Sequence, residues 1–219
     1  MSPGKRKPAT LKAGEATAFL ARDPRFGPWV ETLGPLRMRR VKEPPFDYLV
    51  RSIVFQQLAG AAAHTIHRRC MEALGGKVTP RAVASASDEE LRGAGLSRGK
   101  LAAIRDLAAK ASSLKLDELP WADDDEVVRR LTTVRGIGPW TAQMYLMFAL
   151  RRPDVWPCGD LGVRAGLARI HGLSCTPAEK EMPPLGEAYR PWRSAAAWYC
   201  WRALETDVQE PSPVPGDFT

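Results

Sequence analysis

Cysteine is scarce and scattered in this chain: Cys70, Cys158, Cys175 and Cys200 are its four, and no two form a close pair. That spacing excludes a zinc ribbon, a redox CxxC and an iron–sulfur run, each of which needs neighbouring thiols. Four unpaired thiols are expected. Long apolar runs are missing as well, and none approaches the roughly 18 residues of a membrane-spanning helix. The opening MSPGKRKPATLKAGE is basic but has no apolar core, so no secretory signal is expected. An intracellular location follows: cytoplasmic and nucleoid-associated in a bacterium, nuclear in a eukaryote. No stretch alternates apolar and polar residues between turn signals as a strand would. Most of the chain also lacks a charge surplus. Residues 1–42 hold ten Lys/Arg against three acids, which is the whole net charge of +7. Any nucleic-acid face on the body must therefore come from the arrangement of charges, not their excess.

What is present is helical periodicity. Helices are expected at about 10–21 and 24–33, broken by Asp23-Pro24 and Gly34-Pro35, with 36–45 as a linker. Phe46, Leu49, Val50, Ile53 and Val54 recur at helical spacing. Gln56–Gly60 interrupts that run before a second helix that carries His64 and His67. With no third ligand nearby, those histidines read as surface or core-edge residues. Thr79-Pro80, the capping box Ser87–Glu90, Ser97 and the acidic run Asp123–Glu126 are helix starts. Leu119-Pro120-Trp121 reads as a connector, Thr176-Pro177 as a capped start, and 190–205 as the last helix. The chain is all-α, with about ten short helices. Residues 1–9 form a basic tail, 10–205 a helical domain and 206–219 a C-terminal tail.

The informative stretch is 131–161. A helix runs into Arg135-Gly136-Ile137-Gly138-Pro139, and an apolar helix headed by Trp140 leaves it. A helix–Gly-x-Gly–helix turn presents backbone N–H groups and a positive dipole end, which suit a phosphate. Glycine permits positive φ and close approach. Twenty residues after Trp140, Asp160 precedes LGVRAGL. By position alone Asp160 is also a good N-cap, and the tryptophans could simply be core.

The pattern L-x-x-V-x-G-I-G-x-x-T-A at 131–142 resembles the helix-hairpin-helix of the DNA glycosylase superfamily. FDYLVRSIVFQQLAGAAA (46–63), GLSRGK (95–100), VWPCGDLGVR (155–164) and YRPWRSAAAWYCW (189–201) resemble, in order, segments of its 3-methyladenine DNA glycosylase II branch. The resemblance implies two helical subdomains flanking a cleft, one about 46–150 and the other 10–45 plus 151–205. Only 45 residues precede the FDYLVRS helix, so the compact form without an N-terminal sheet domain is expected.

Residue by residue, the resemblance makes Asp160 the catalytic aspartate. Trp140 and Trp201 match walls of the base pocket, and Met144 falls at a further pocket position. Arg135, Gly136, Ile137 and Gly138 would grip DNA. Beside the resemblance, Arg190 and Arg193 read either as phosphate contacts or as charges that only solvate their helix. Gln56, Gln57 and Leu58 share the loop whose tip fills the gap left by an extruded base. Backbone carbonyls of Thr132, Val134 and Ile137 would hold a monovalent cation, sodium or potassium. No other cofactor and no iron–sulfur cluster are expected. Trp140 stands where bifunctional relatives carry a lysine, so no Schiff base can form and no AP-lyase activity is expected.

These residues together imply a monofunctional hydrolase that flips alkylated, 3-methyladenine-like bases from double-stranded DNA and leaves an abasic site. A monomer without a membrane partner is expected. Two other functions fit the motif: a non-catalytic helix-hairpin-helix DNA-binding scaffold, and a glycosylase for mismatched or oxidised bases.

Overall fold

The computed structural model describes residues 8–39, 41–58 and 60–206. Apart from Pro8 and Ala9, the expected N-terminal tail lies outside the described residues, as does the C-terminal tail beyond Thr206. Every regular element among the described residues is helical, in agreement with the all-α expectation. None of these helices is long and apolar enough to cross a membrane.

The described chain forms two compact units, one of residues 42–145 and one of 9–41 with 146–206. We call them the hairpin unit and the terminal unit. Helices α1 (Ala13–Leu20) and α2 (Gly27–Leu33) open the terminal unit. The hairpin unit follows with α3 (Pro45–Phe55), α4 (Gly60–Ala73), α5 (Pro80–Ser85) and α6 (Asp88–Gly93). It closes with α7 (Arg98–Leu114), α8 (Asp124–Leu131) and α9 (Pro139–Met144). The terminal unit resumes with α10 (Leu161–His171), α11 (Met182–Gly186) and α12 (Arg193–Glu205).

Helix starts follow the side chains that can accept from their first turn. Thr79, Ser87, Ser97, Asp123 and Asp160 all cap, at 2.7–3.2 Å. Glu90 completes the box by accepting the Ser87 N–H at 2.7 Å. Each such cap stabilises its helix by about 1 kcal/mol. Three expectations need correction. Thr176 caps nothing. A 3₁₀ turn at Glu179–Glu181 leads into α11 instead, and there the Ala178 N–H donates to Glu181. The last helix begins at Arg193 and not at 190: Arg190, the residue before a proline, is extended at ψ 141°, and Trp192 is the N-cap. Leu119-Pro120-Trp121, read as a connector, lies in a 3₁₀ helix, Leu116–Trp121.

The long α7 carries the core of the hairpin unit, with Leu101, Ile104 and Leu107 buried against its neighbours. His64 and His67 set their rings edge-on to Phe55, a core-edge position. In the terminal unit the main pairing is α10 against α12, whose buried face includes Tyr199, Cys200 and Trp201. Leu36 and Met38, in the expected linker, are buried there.

Candidate active site and DNA-binding hairpin

The turn between α8 and α9 is clamped from below by Leu131, Val134 and Ile137, all buried. Gly136 has φ +78°, and a Cβ there would stand 3.1 Å from the Ala103 Cβ, so both backbone and packing require glycine. Gly138 differs. Its backbone is extended at φ −92°, and nothing lies within 4 Å of where its Cβ would be. No protein neighbour demands glycine there, which leaves the space open to a ligand backbone.

Helix α7 holds the turn. The Arg135 N–H donates to the Asp106 carboxylate at 2.7 Å, and the Lys110 ammonium bridges Asp106 and the Thr133 carbonyl at 2.7 and 2.6 Å. The Arg135 N–H and Lys110 together hold the Asp106 carboxyl below the usual carboxylate range. Gripping an anion with the whole row of turn N–H groups therefore needs correction, because two are already engaged: Arg135 on Asp106, and Ile137 on the Val134 carbonyl at 3.1 Å. Ile137 is a buried anchor. The N–H groups of Gly136 and Gly138 meet no acceptor among the described residues, and the Arg135 side chain is exposed.

Gln56 is also committed. Its amide donates to the Gly136 carbonyl at 2.9 Å, tying the end of α3 to the turn. Gln57 sits at φ +57° with its side chain outward, and Leu58 beside it is 37% exposed. Trp140, in the first turn of α9, is 40% exposed. Met144, expected in a base pocket, is instead buried in the hairpin unit, and its carbonyl accepts from the Tyr48 hydroxyl at 3.4 Å.

For a cation held by backbone carbonyls, the observation that matters is which oxygens are already used. Lys110 takes the Thr133 carbonyl and Gln56 that of Gly136. The carbonyls of Thr132 and Ile137 accept from no donor among the described residues, and Val134 accepts one N–H and keeps a second lone pair. This donor set suits a hard monovalent ion.

Asp160, 8% exposed, caps α10 in the terminal unit. Its Oδ1 accepts two hydrogen bonds, from the Val163 N–H at 2.7 Å and from the Trp201 indole N–H at 2.9 Å. Trp201 is 6% exposed and stacks on Phe148, with centroids 6.0 Å apart and ring planes 26° from parallel. An exposed wall for a base is not its setting in this unit. Packing against α10 and hydrogen bonding to the carboxylate are. Arg193 likewise turns inward. Its guanidinium makes two bonds to Asp154, at 2.6 and 3.0 Å, which ties the start of α12 to the segment before Asp160. That pairing commits the Arg193 guanidinium, read from the sequence as a phosphate contact or a solvated charge, to Asp154.

Sequence reasoning missed Asp106 and Lys110, because nothing local links α7 to residues 133–135. It also missed the contact between Gly162 and Trp201, because the first-turn glycines Gly14 and Gly99 meet nothing and residue type alone does not tell them apart.

A glycine turn between two helices, exposed to solvent, defines a helix-hairpin-helix unit, and the terminal unit fixes a carboxylate at a helix start. The model of the HhH-GPD superfamily of base excision DNA repair proteins matches residues 50–191, and the chain belongs to that family. DNA-3-methyladenine glycosylase 1 of Schizosaccharomyces pombe is 33% identical over 180 residues, 79% of this chain and 79% of its own. Among solved structures, a Schizosaccharomyces pombe 3-methyladenine DNA glycosylase in complex with abasic DNA matches with a TM-score of 0.76 at 31% identity. The match covers 86% of this chain and 95% of that one. A DNA-3-methyladenine glycosidase from Bacillus halodurans matches with a TM-score of 0.80 at 35% identity, over 90% and 92% of the two chains.

Proposed function

We propose that this protein is a monofunctional DNA glycosylase of the 3-methyladenine glycosylase II kind. It hydrolyses the N-glycosidic bond of alkylated bases in double-stranded DNA and leaves an abasic site. The observation that carries the reading is Asp160, a carboxylate held in one orientation at the start of α10 by two donors on one oxygen. It lies inside the family-matched segment, twenty residues after the hairpin tryptophan.

The chemistry follows from charge. A base stacked in a duplex is unreachable and must be extruded, at a cost of about a few kcal/mol. Alkylation at a ring nitrogen makes a purine cationic, so it leaves as a neutral base with the electron pair of the glycosidic bond. The sugar is left oxocarbenium-like, and the Asp160 carboxylate stabilises that charge. Water adds at C1′ and gives up a proton, which Asp160 can accept. Trp140 offers a cationic base an aromatic face worth about 0.5–2 kcal/mol. Arg135 and the free N–H groups of Gly136 and Gly138 supply phosphate contacts. Leu58, exposed and apolar, is the residue of its loop suited to fill the gap left by the base. A sodium or potassium ion on the carbonyls of Thr132, Val134 and Ile137 would stiffen the turn from behind. Trp140 in place of lysine leaves no amine for a Schiff base, so borohydride should trap no covalent DNA complex. The active species is a monomer, to be read from the mass of the DNA complex in solution.

Asp160→Asn tests the reading, because it keeps the capping oxygen while removing the charge. Excision of 3-methyladenine should fall by about 10²–10⁴-fold, with abasic-DNA binding and melting temperature kept. Undiminished excision by that variant would overturn the assignment.

A further inference from the structure

Trp201 was expected to line the base pocket, but its environment in the terminal unit assigns it another task. Three observations converge on it. The indole N–H donates to Asp160 Oδ1 at 2.9 Å, the same oxygen that caps α10. The ring is buried and stacked on Phe148. And α10 is built to admit it. A Cβ on Gly162 would stand 2.8 Å from the Trp201 Cδ1, 3.1 Å from its Nε1 and 3.1 Å from Asp160 Oδ1. Any side chain at 162 would press on the pair.

We infer that Trp201 is a positioning residue, which fixes the rotamer of Asp160 so that its carboxylate meets the sugar at the angle the reaction needs. The physical reason is that a hydrogen bond from a ring locked by packing narrows the range over which the carboxylate can turn about its Cα–Cβ bond. A hydrogen bond from a buried donor to a carboxylate is also of the stronger kind. The inference rests on Asp160 being the catalytic acid.

Trp201→Phe separates positioning from a wall. Phenylalanine keeps an aromatic face and most of the packing but has no N–H. If Trp201 positions Asp160, the single-turnover excision rate of 3-methyladenine falls by about ten- to a hundredfold, while the substrate concentration at half-maximal rate stays within about twofold. In the Asp160→Ala background the same substitution then has no further effect, because the group it acts through is gone. A rate unchanged in Trp201→Phe, or a loss that persists undiminished in the Asp160→Ala background, would overturn the inference. If Trp201→Phe or Asp160→Ala melts early, the comparison of wild type with Asp160→Asn, which keeps the capping oxygen, supplies the readout. The indole ¹H–¹⁵N resonance of Trp201 should move when Asp160 becomes Asn, and a resonance that does not move counts against the bond. Failure of the parent reading looks different: Asp160→Asn would then keep full excision. An active Trp201→Phe beside an inactive Asp160→Asn would sink the positioning role alone.

Discussion

Gly166 and Cys200 are in backbone contact: a Cβ on residue 166 would fall on the Cys200 carbonyl. This is why α10 and α12 can approach closely enough for the next residue, Trp201, to reach Asp160. Gly162 and Gly166, one helical turn apart, form the groove that receives α12.

Gly166→Ala should therefore be a stability variant with a functional consequence. Overpacking at a site with no room costs about 3 kcal/mol, or roughly 6–12 °C in melting temperature for a domain of this size. Calorimetry checks it. A melting temperature equal to wild type would mean that the helices separate without cost, and the close-packing account would be wrong.

Asp106 should matter to the hairpin although it lies on another helix. Its carboxyl is held below the usual range by the Arg135 N–H and Lys110, so its contribution is present at neutral pH. That contribution is lost as pH falls from the unfolded value near 3.8 through the lower folded value. Asp106→Ala should speed hydrogen exchange of the Arg135 amide about tenfold and weaken DNA binding severalfold. Tighter binding, as expected from simply removing a negative charge, would show that the turn does not need this brace.

In the loop after α3, Gln56 is tied to Gly136, while Leu58 is exposed and apolar. Leu58→Ala should lower excision from duplex DNA about tenfold or more, since the extruded state loses its filler. The same lesion in single-stranded DNA, with no gap to fill, should be processed at the wild-type rate. Equal losses on both substrates would remove the wedge assignment.

His171 should give the terminal unit an acid-sensitive joint. Arg25 donates to its Nδ1 at 3.1 Å, which requires a lone pair there, and its Nε2 faces the Tyr189 hydroxyl at 2.6 Å. Burial, and then the charge of Arg25, push the histidine below its ordinary value of 6.5. Burial pushes Tyr189 up to about 12. The folded form thus resists a proton that the unfolded chain accepts. Stability is full above pH 6.5 and declines as pH falls towards the lower folded value. Melting curves from pH 7.5 to 5 should show this decline in the wild type and a shallower one in His171→Gln. Parallel curves would acquit His171.

Much was legible without the fold because it rests on local chemistry. N-caps need one side-chain oxygen three residues from an N–H, and the caps expected at Thr79, Ser87, Ser97, Asp123 and Asp160 formed, while the one at Thr176 did not. The helical periodicity, the glycine turn and its three apolar anchors are likewise short-range, so 131–142 could be read directly. The ordered motifs around them also pointed to the family.

What the tertiary structure decided were the partners that chain order does not join. Asp106 and Lys110 satisfy part of a turn more than twenty residues away, Asp154 occupies Arg193, and the carbonyl of Met144 accepts from Tyr48. The clearest case is Trp201. Its sequence position names an aromatic ring, but only the close crossing of two helices on Gly162 and Gly166 could show that its N–H reaches the Asp160 carboxylate. A helix contact depends on distance in space, and that distance is set by side chains contributed from both helices.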